Sequence, residues 1–221
     1  MFIKFLSYIL PIKILTQKST INKSIEVTWN NGELVLDTEN TNYSYGSLQR
    51  ILKKGLQEIG FEKIRKFDKI LILGVAGGSV IKTLVEEIKF EGKIIGVELD
   101  SEIIKIANKY FDLQKFENLK IIIDNAENFV KNHTYIYDLI IIDIFQDNFM
   151  PEFLYKTDFI NNIKNILSEN GFVIFNTMIL NKSNETRNSE YFSNFESEQF
   201  VISNLSKLKM YNELIIIKKT K

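Results

Sequence analysis

From Lys69 onward the chain alternates short, nearly continuous runs of Ile, Leu and Val with segments whose apolar residues recur at helical spacing. The runs Ile70–Val75, Lys93–Glu98, Leu119–Ile123, Tyr137–Asp143 and Phe172–Thr177 have the length and β-branched content of buried strands. Helical patterns lie between them, at about 78–89, 101–111, 126–132 and 152–167. Strands that are apolar on both faces and alternate with helices predict a parallel sheet covered on both sides. Beyond it, the polar stretch 181–190 reads as a connection, 195–207 as another helix and Glu213–Lys218 as the last strand.

Upstream, Ile25–Trp29 and Glu33–Asp37 flank Asn30-Asn31-Gly32, a β-hairpin signal. Residues 47–59 place Leu48, Ile51, Leu52, Leu56 and Ile59 on one helical face and stop at Gly60. The first fifteen residues, MFIKFLSYILPIKIL, are apolar, but Pro11 and Lys13 break the run well short of the ~20 residues of a spanning helix. No small-residue cleavage site follows, so neither a secretory signal nor an integral membrane segment is expected. Residues 1–25 carry Lys4, Lys13, Lys18 and Lys23 and no acid. Such a segment suits an arm packed on its own domain or a second subunit, or loose contact with an anionic membrane. The expected layout is an apolar, basic arm over 1–24, a hairpin and helix over 25–60, and one Rossmann-like domain over 61–221.

Composition narrows the chemistry. At 221 residues, 45% apolar and 25% charged, the chain is an ordinary globular one, long enough for a continuous core. It has no Cys, which excludes disulfides, thiolate zinc sites and a cysteine nucleophile. Its single histidine, His133, sits in a polar stretch, reads as a solvated loop residue, and leaves little room for a Ser-His-Asp triad. With 28 Lys+Arg against 28 Asp+Glu, no nucleic-acid partner is expected. Carboxylates, backbone amides, aromatics or a bound cofactor remain. The absence of export signals and cysteines makes the cytoplasm the expected location.

In an open α/β sheet, ligands bind beyond the carboxyl ends of the strands, so the loop after the first strand comes first. It reads Leu73-Gly74-Val75-Ala76-Gly77-Gly78-Ser79. Three glycines in five residues let the backbone turn and approach a ligand. The spacing matches neither a dinucleotide fingerprint nor a P-loop. The second strand ends Gly96-Val97-Glu98-Leu99-Asp100, where Glu98 suits the two hydroxyls of a ribose and Asp100 suits a helix cap. At the third tip, Asp124 or Asn125 either bonds an adenine amino group beside the small Ala126 or caps the next helix. The fourth strand delivers Asp143 to the cleft, the best candidate for contact with a reacting group. Asp143 and Asn176, at neighbouring tips, offer two oxygen ligands to magnesium and no third, so no metal site is assigned.

In their order along the chain, these features resemble a known family. They are the hairpin, Asn42-Tyr43-Ser44-Tyr45, LILGVAGGS, GVELD, DNAENFV, YDLIIID, Pro151-Glu152-Phe153-Leu154, GFVIFNT and NELIIIKK. Over roughly residues 25–218 they resemble the class I S-adenosylmethionine-dependent methyltransferase fold, in its spermidine-synthase-like (polyamine aminopropyltransferase) branch. The resemblance implies a Rossmann-like seven-stranded sheet with helices on both faces, preceded by a small N-terminal β-hairpin. It implies an adenosyl ligand, S-adenosylmethionine or its decarboxylated form, held around Gly74, Ala76, Gly77, Gly78, Glu98, Leu99, Asp124, Asn125 and Ala126. It also implies Asp143 as the catalytic acid–base group, with Tyr45, Phe145 and Asp147 around a small-molecule acceptor such as an amine. A homodimer is a further implication.

The chain departs from the aminopropyltransferase pattern at several positions, among them Ser47, where an acid is usual, and Asn125, where Asp is usual. Ala76 stands where that branch has the acid that holds the free amine, and Ile144-Phe145-Gln146 replaces its hydroxyl pair, with Asp147 one position late. Placing an ammonium in a pocket that lacks its carboxylate is costly. The expectation is therefore a methyltransferase-like transferase of the spermidine synthase superfamily. The alternatives are a polyamine aminopropyltransferase and a non-catalytic adenosyl- or partner-binding protein.

Overall fold

In the computed structural model, residues 2–38, 42–146, 149–209 and 211–220 are described. The chain starts with a short helix, α1 (Phe2–Leu6), and strands β1 (Ile12–Gln17), β2 (Ile25–Asn30), β3 (Glu33–Thr38) and β4 (Asn42–Ser44). These strands form one antiparallel sheet in the order β1-β2-β3-β4. The expected hairpin is thus its centre. β1, drawn from the arm, adds to β2 from Ile12 opposite Trp29 to Gln17 opposite Ile25. Ser7 fastens α1 to the β2–β3 turn, its oxygens accepting from Asn31 N–H and Gly32 N–H, each at 3.0 Å.

Helices α2 (Gly46–Ile59) and α3 (Phe61–Ile64) lead to the main sheet. Its elements are β5 (Lys69–Leu73), α4 (Ser79–Lys82) running into a π turn at Thr83–Glu87, β6 (Lys93–Glu98), α5 (Ser101–Phe111) and β7 (Leu119–Ile123). There follow α6 (Ala126–Asn132), β8 (Tyr137–Ile142), α7 (Thr157–Asn165), β9 (Leu167–Met178), α8 (Lys182–Phe192), β10 (Phe200–Lys209) and β11 (Asn212–Lys219). Seven strands pair in the order β10-β11-β9-β8-β5-β6-β7. β5 to β9 run parallel, and β11 enters antiparallel between β9 and β10.

Side-chain alternation along each strand feeds two cores. Ile70, Ile72, Leu139, Ile141 and Ile174 meet Leu52 and Leu56 of α2 on one face. Leu71, Leu73, Ile140, Ile142 and Val173 meet Phe129 of α6 and Phe159 of α7 on the other. This is the doubly covered α/β sheet expected from the pattern.

Three segments differ from their sequence reading. The connection at 181–190 is helical: Asn181 caps α8 by accepting from Asn184 N–H (3.0 Å), and only Asn188 and Tyr191 of the helix are buried. So polar a helix shows no apolar periodicity. The helix expected over 195–207 is instead strand β10, pairing Ile202 with Ile217 and Leu205 with Leu214. Its Ile202, Leu205 and Leu208 recur every third residue and mimic a helix, whereas pairing with β11 decides the outcome. The helix expected over 152–167 begins as a 3-10 turn at Glu152–Tyr155 and has already become strand at Leu167.

Candidate functional site

β5, β6, β7 and β8 end on one rim because their registers align: Leu73 lies opposite Val97 and Ile142, and Glu98 opposite Ile123. The ladder runs one step past the strands, with Gly74 N–H donating to Val97 O, Asp143 N–H to Leu73 O (both 2.9 Å) and Asp124 N–H to Glu98 O (3.1 Å). Gly74, Glu98, Asp124 and Asp143 thereby stand around one cavity of about 230 Å³. Gly74 has φ +89°, and a Cβ there would overlap the Asp143 carbonyl oxygen, so glycine is what lets these tips meet.

Glu98 is bound more tightly to the protein than a strand-end acid would be. Its Oε2 accepts from Val75 and Ala76 N–H (both 3.1 Å), and its Oε1 from Leu99 (2.8 Å) and Asp100 N–H (3.0 Å). Burial pushes its carboxyl up from the usual range, and these four donors pull it back. One side chain therefore stitches the glycine loop to the tip of β6. Its lone-pair positions are already taken, so a ribose gripped by Glu98 would have to share or displace some of these bonds.

Asp143 lies deeper. Its Oδ1 accepts from Asn176 Nδ2 (2.8 Å). Burial raises its carboxyl to about 6; the Asn176 bond lowers it and the Glu98 charge raises it further. The oxygen pair suggested for magnesium is thus a side-chain hydrogen bond with an amide nitrogen turned toward the acid.

Ala76, Leu99, Asp124, Asn125, Ala126 and Phe145 also line the cavity. Asn125 caps α6 by accepting from Glu127 N–H (2.8 Å) and Asn128 N–H (3.3 Å), so of the two candidates it is Asn125 that caps the helix. Asp124 accepts from Asn125 N–H (2.7 Å) through Oδ1.

Gly77 and Gly78 are not among the lining residues. A Cβ on Gly77 would come within 2.9 Å of Ser44 Cβ, and one on Gly78 within 2.5 Å of Leu113, so internal packing accounts for both glycines. Tyr45 is absent from this cavity too. It stacks on Phe111 (centroids 4.6 Å apart) and lines a second cavity that includes Arg50 and Lys82, its phenol pushed far up by burial. Asp147 lies outside the described residues. His133 does lie in the loop after α6 and is half-buried, but it has partners: it stacks on Phe129 and bonds Tyr137 Oη at 2.7 Å, away from the cavity, and burial lowers its pKa.

The sequence reading missed one side of the site. Ile21 and Asn22, in the connection between β1 and β2, line the cavity. Asn22 Nδ2 donates to Asp100 Oδ2 (2.7 Å), and Ser19 Oγ donates to the same oxygen. Asp100 Oδ1 meanwhile accepts from Glu102 N–H (3.0 Å), the expected helix cap. Gln17 adds a bond to Glu102 (2.9 Å). No local signal marks such a strap, because its partners lie at the head of α5, far along the chain.

The charge around the cavity is one-sided. Glu98, Asp100, Asp124 and Asp143 line it, and among the described residues no Lys, Arg or His does. Such a site favours cations and penalises carboxylate-bearing ligands that bring no partner.

Comparison with known proteins agrees with this architecture. The spermine/spermidine synthase domain family matches residues 49–211. The polyamine aminopropyltransferase of Vibrio vulnificus is 32% identical over 133 residues, 59% of this chain and 44% of that protein. The aligned region thus spans less than half of that relative. The crystal structure of spermidine synthase from Thermotoga maritima superposes with a TM-score of 0.70 at 17% identity, covering 95% of this chain and 73% of its own. A spermidine synthase in complex with the transition-state analogue AdoDATO gives 0.68 at 17%, with the same coverage. No helix among the described residues is long and apolar enough to cross a membrane. With the seven-stranded sheet, the aligned strand tips and a family match over most of its length, the chain belongs to the spermine/spermidine synthase domain family.

Proposed function

We propose that the chain is an aminopropyltransferase, which moves the aminopropyl group of decarboxylated S-adenosylmethionine to a small amine. The family match and the curated relatives support this reading over methyl transfer, which rests on the shared fold alone. The observation that carries it is the cavity lined, among the described residues, by four carboxylates and no basic side chain. Decarboxylated S-adenosylmethionine and an amine acceptor are both cationic, whereas the carboxylate of intact S-adenosylmethionine would meet no positive side chain there.

In this reading the nucleoside lies between Gly74, Ala76 and Glu98, with the adenine toward Asp124 and Ala126, and Asp143 faces the acceptor. The amine nitrogen bonds to the carbon leaving the sulfonium, the carbon–sulfur pair stays on sulfur as a thioether, and the amine proton passes to Asp143. At neutral pH a carboxyl with a pKa of about 6 is mostly ionised and able to take that proton. The fixed geometry aligns nitrogen, carbon and sulfur. A cytoplasmic setting and a homodimer complete the proposal.

Ala76, where the aminopropyltransferases have an acid, and Ile144-Phe145-Gln146, where they have a hydroxyl pair, are the features that favour methyl transfer from intact S-adenosylmethionine. A paired calorimetric titration decides between them. The proposal expects the decarboxylated form to bind at least tenfold more tightly, with 5′-methylthioadenosine released when an amine is added. Preference for the intact form would restore the methyltransferase reading, and no binding of either would favour a non-catalytic role.

A further inference from the structure

Two asparagines at the far side of the cavity form a chain that ends on Asp143. Asn212 Nδ2 donates to Asn176 Oδ1 (3.2 Å), and Asn176 Nδ2 donates to Asp143 Oδ1 (2.8 Å). The register of β9 and β11 creates this contact: Asn212 lies opposite Met178 and Leu214 opposite Asn176, which makes the asparagines diagonal neighbours. Asn176 is fully buried, so its amide has no water with which to exchange partners.

An amide has one donating and one accepting end. With Asn212 on its oxygen, Asn176 must present its nitrogen to the carboxylate. The flipped rotamer would set oxygen against carboxylate and nitrogen against nitrogen, leaving buried groups unpaired. Asp143 Oδ2 has no hydrogen bond among the described residues and is the oxygen left for a ligand. We propose that Asn212 and Asn176 are positioning residues that fix the Asp143 carboxylate and reserve Oδ2 for the acceptor amine.

The inference rests on the aminopropyltransferase reading for the identity of the acceptor, but not for the orientation of Asp143. Glu98 on β6, Asp100 at the head of α5 and Asp124 after β7 surround the cavity as acids. On the β9 side the neutral Asn176, backed by Asn212 on β11, donates to Asp143, so its donor is a local counterweight to that negative charge.

The test pairs a titration with kinetics. Asn176→Ala empties a fully buried position, and Asn212→Ala, at a half-buried one, keeps the test open if the first variant does not fold. Carbon-13 NMR of the aspartate carboxyls, with the Asp143 signal assigned from Asp143→Asn, is expected to show its midpoint rise by about half a unit or more in either variant. Turnover with an amine should fall about tenfold at unchanged nucleoside KM, and the acidic limb of the pH profile should move up with the NMR midpoint. An unmoved midpoint in both variants, or loss of activity with no shift of the pH limb, overturns the inference. The carboxyl titration needs no turnover, so a wild-type protein that transfers nothing defeats the proposed function while the positioning role is still decided.

Discussion

Asp143 is costly for the fold to keep. Its carboxyl is raised to about 6 in the native state, well above the ordinary value of 3.8. Below about pH 4 it is protonated in both folded and unfolded chains and has no effect. Between about pH 4 and 6 the native state holds the proton more tightly, so stability falls as pH rises; above 6 the full penalty, of order 2–3 kcal/mol, is present. Asp143→Asn should therefore raise stability at pH 8 by about 1–3 kcal/mol, by urea titration, with the gain vanishing toward pH 4, while abolishing proton uptake from an acceptor. At Gly74, φ +89° and the Asp143 carbonyl both exclude a side chain. Gly74→Ala should cost more than about 2 kcal/mol in the same assay. Residues of this kind were legible because an acid or glycine after an apolar run marks a strand tip. Their long-range partners were not: nothing local says that Gly77 is packed under Ser44, or that Glu98 gathers four backbone donors.

Among the elements, the strap between β1 and β2 matters most for ligand traffic. It is tied at Asp100 by Ser19 and Asn22 and places Ile21 over the cavity. Hydrogen bonds to a buried carboxylate are worth about 1.5–3 kcal/mol each. Asn22→Ala is thus expected to loosen the strap and, on the proposed aminopropyltransferase reading, to speed release of 5′-methylthioadenosine about tenfold, measured by stopped-flow displacement; an unchanged release rate would show that the strap does not gate the cavity. The same contact explains the limits of the sequence reading. The parallel strands of the main sheet announced themselves by composition, being apolar on both faces. The strap depends on a partner 78 residues away, and β10 on a register with β11 that three-residue apolar spacing disguised as a helix.

On the scale of the whole molecule, α1 and the turn after it carry a group of exposed apolar side chains. Phe5 is 74% exposed and Ile9 75%, with Phe2, Tyr8 and Leu10 alongside, all held outward because Ser7 anchors α1 to the body. Phe5→Ser with Ile9→Ser should leave thermal stability within about 0.5 kcal/mol of wild type, since neither side chain is buried. The pair should also lower any self-association seen by sedimentation, because contiguous apolar surface of this kind drives association. The insertion of β11 between β9 and β10 carries another consequence, in time rather than space. During synthesis the ribosome releases β9 with one edge open, and β10 cannot reach it directly. Until residues 212–219 emerge, the nascent sheet exposes a raw hydrogen-bonding margin along β9, so the interval before the final hairpin closes is when stray strand pairing is most favoured.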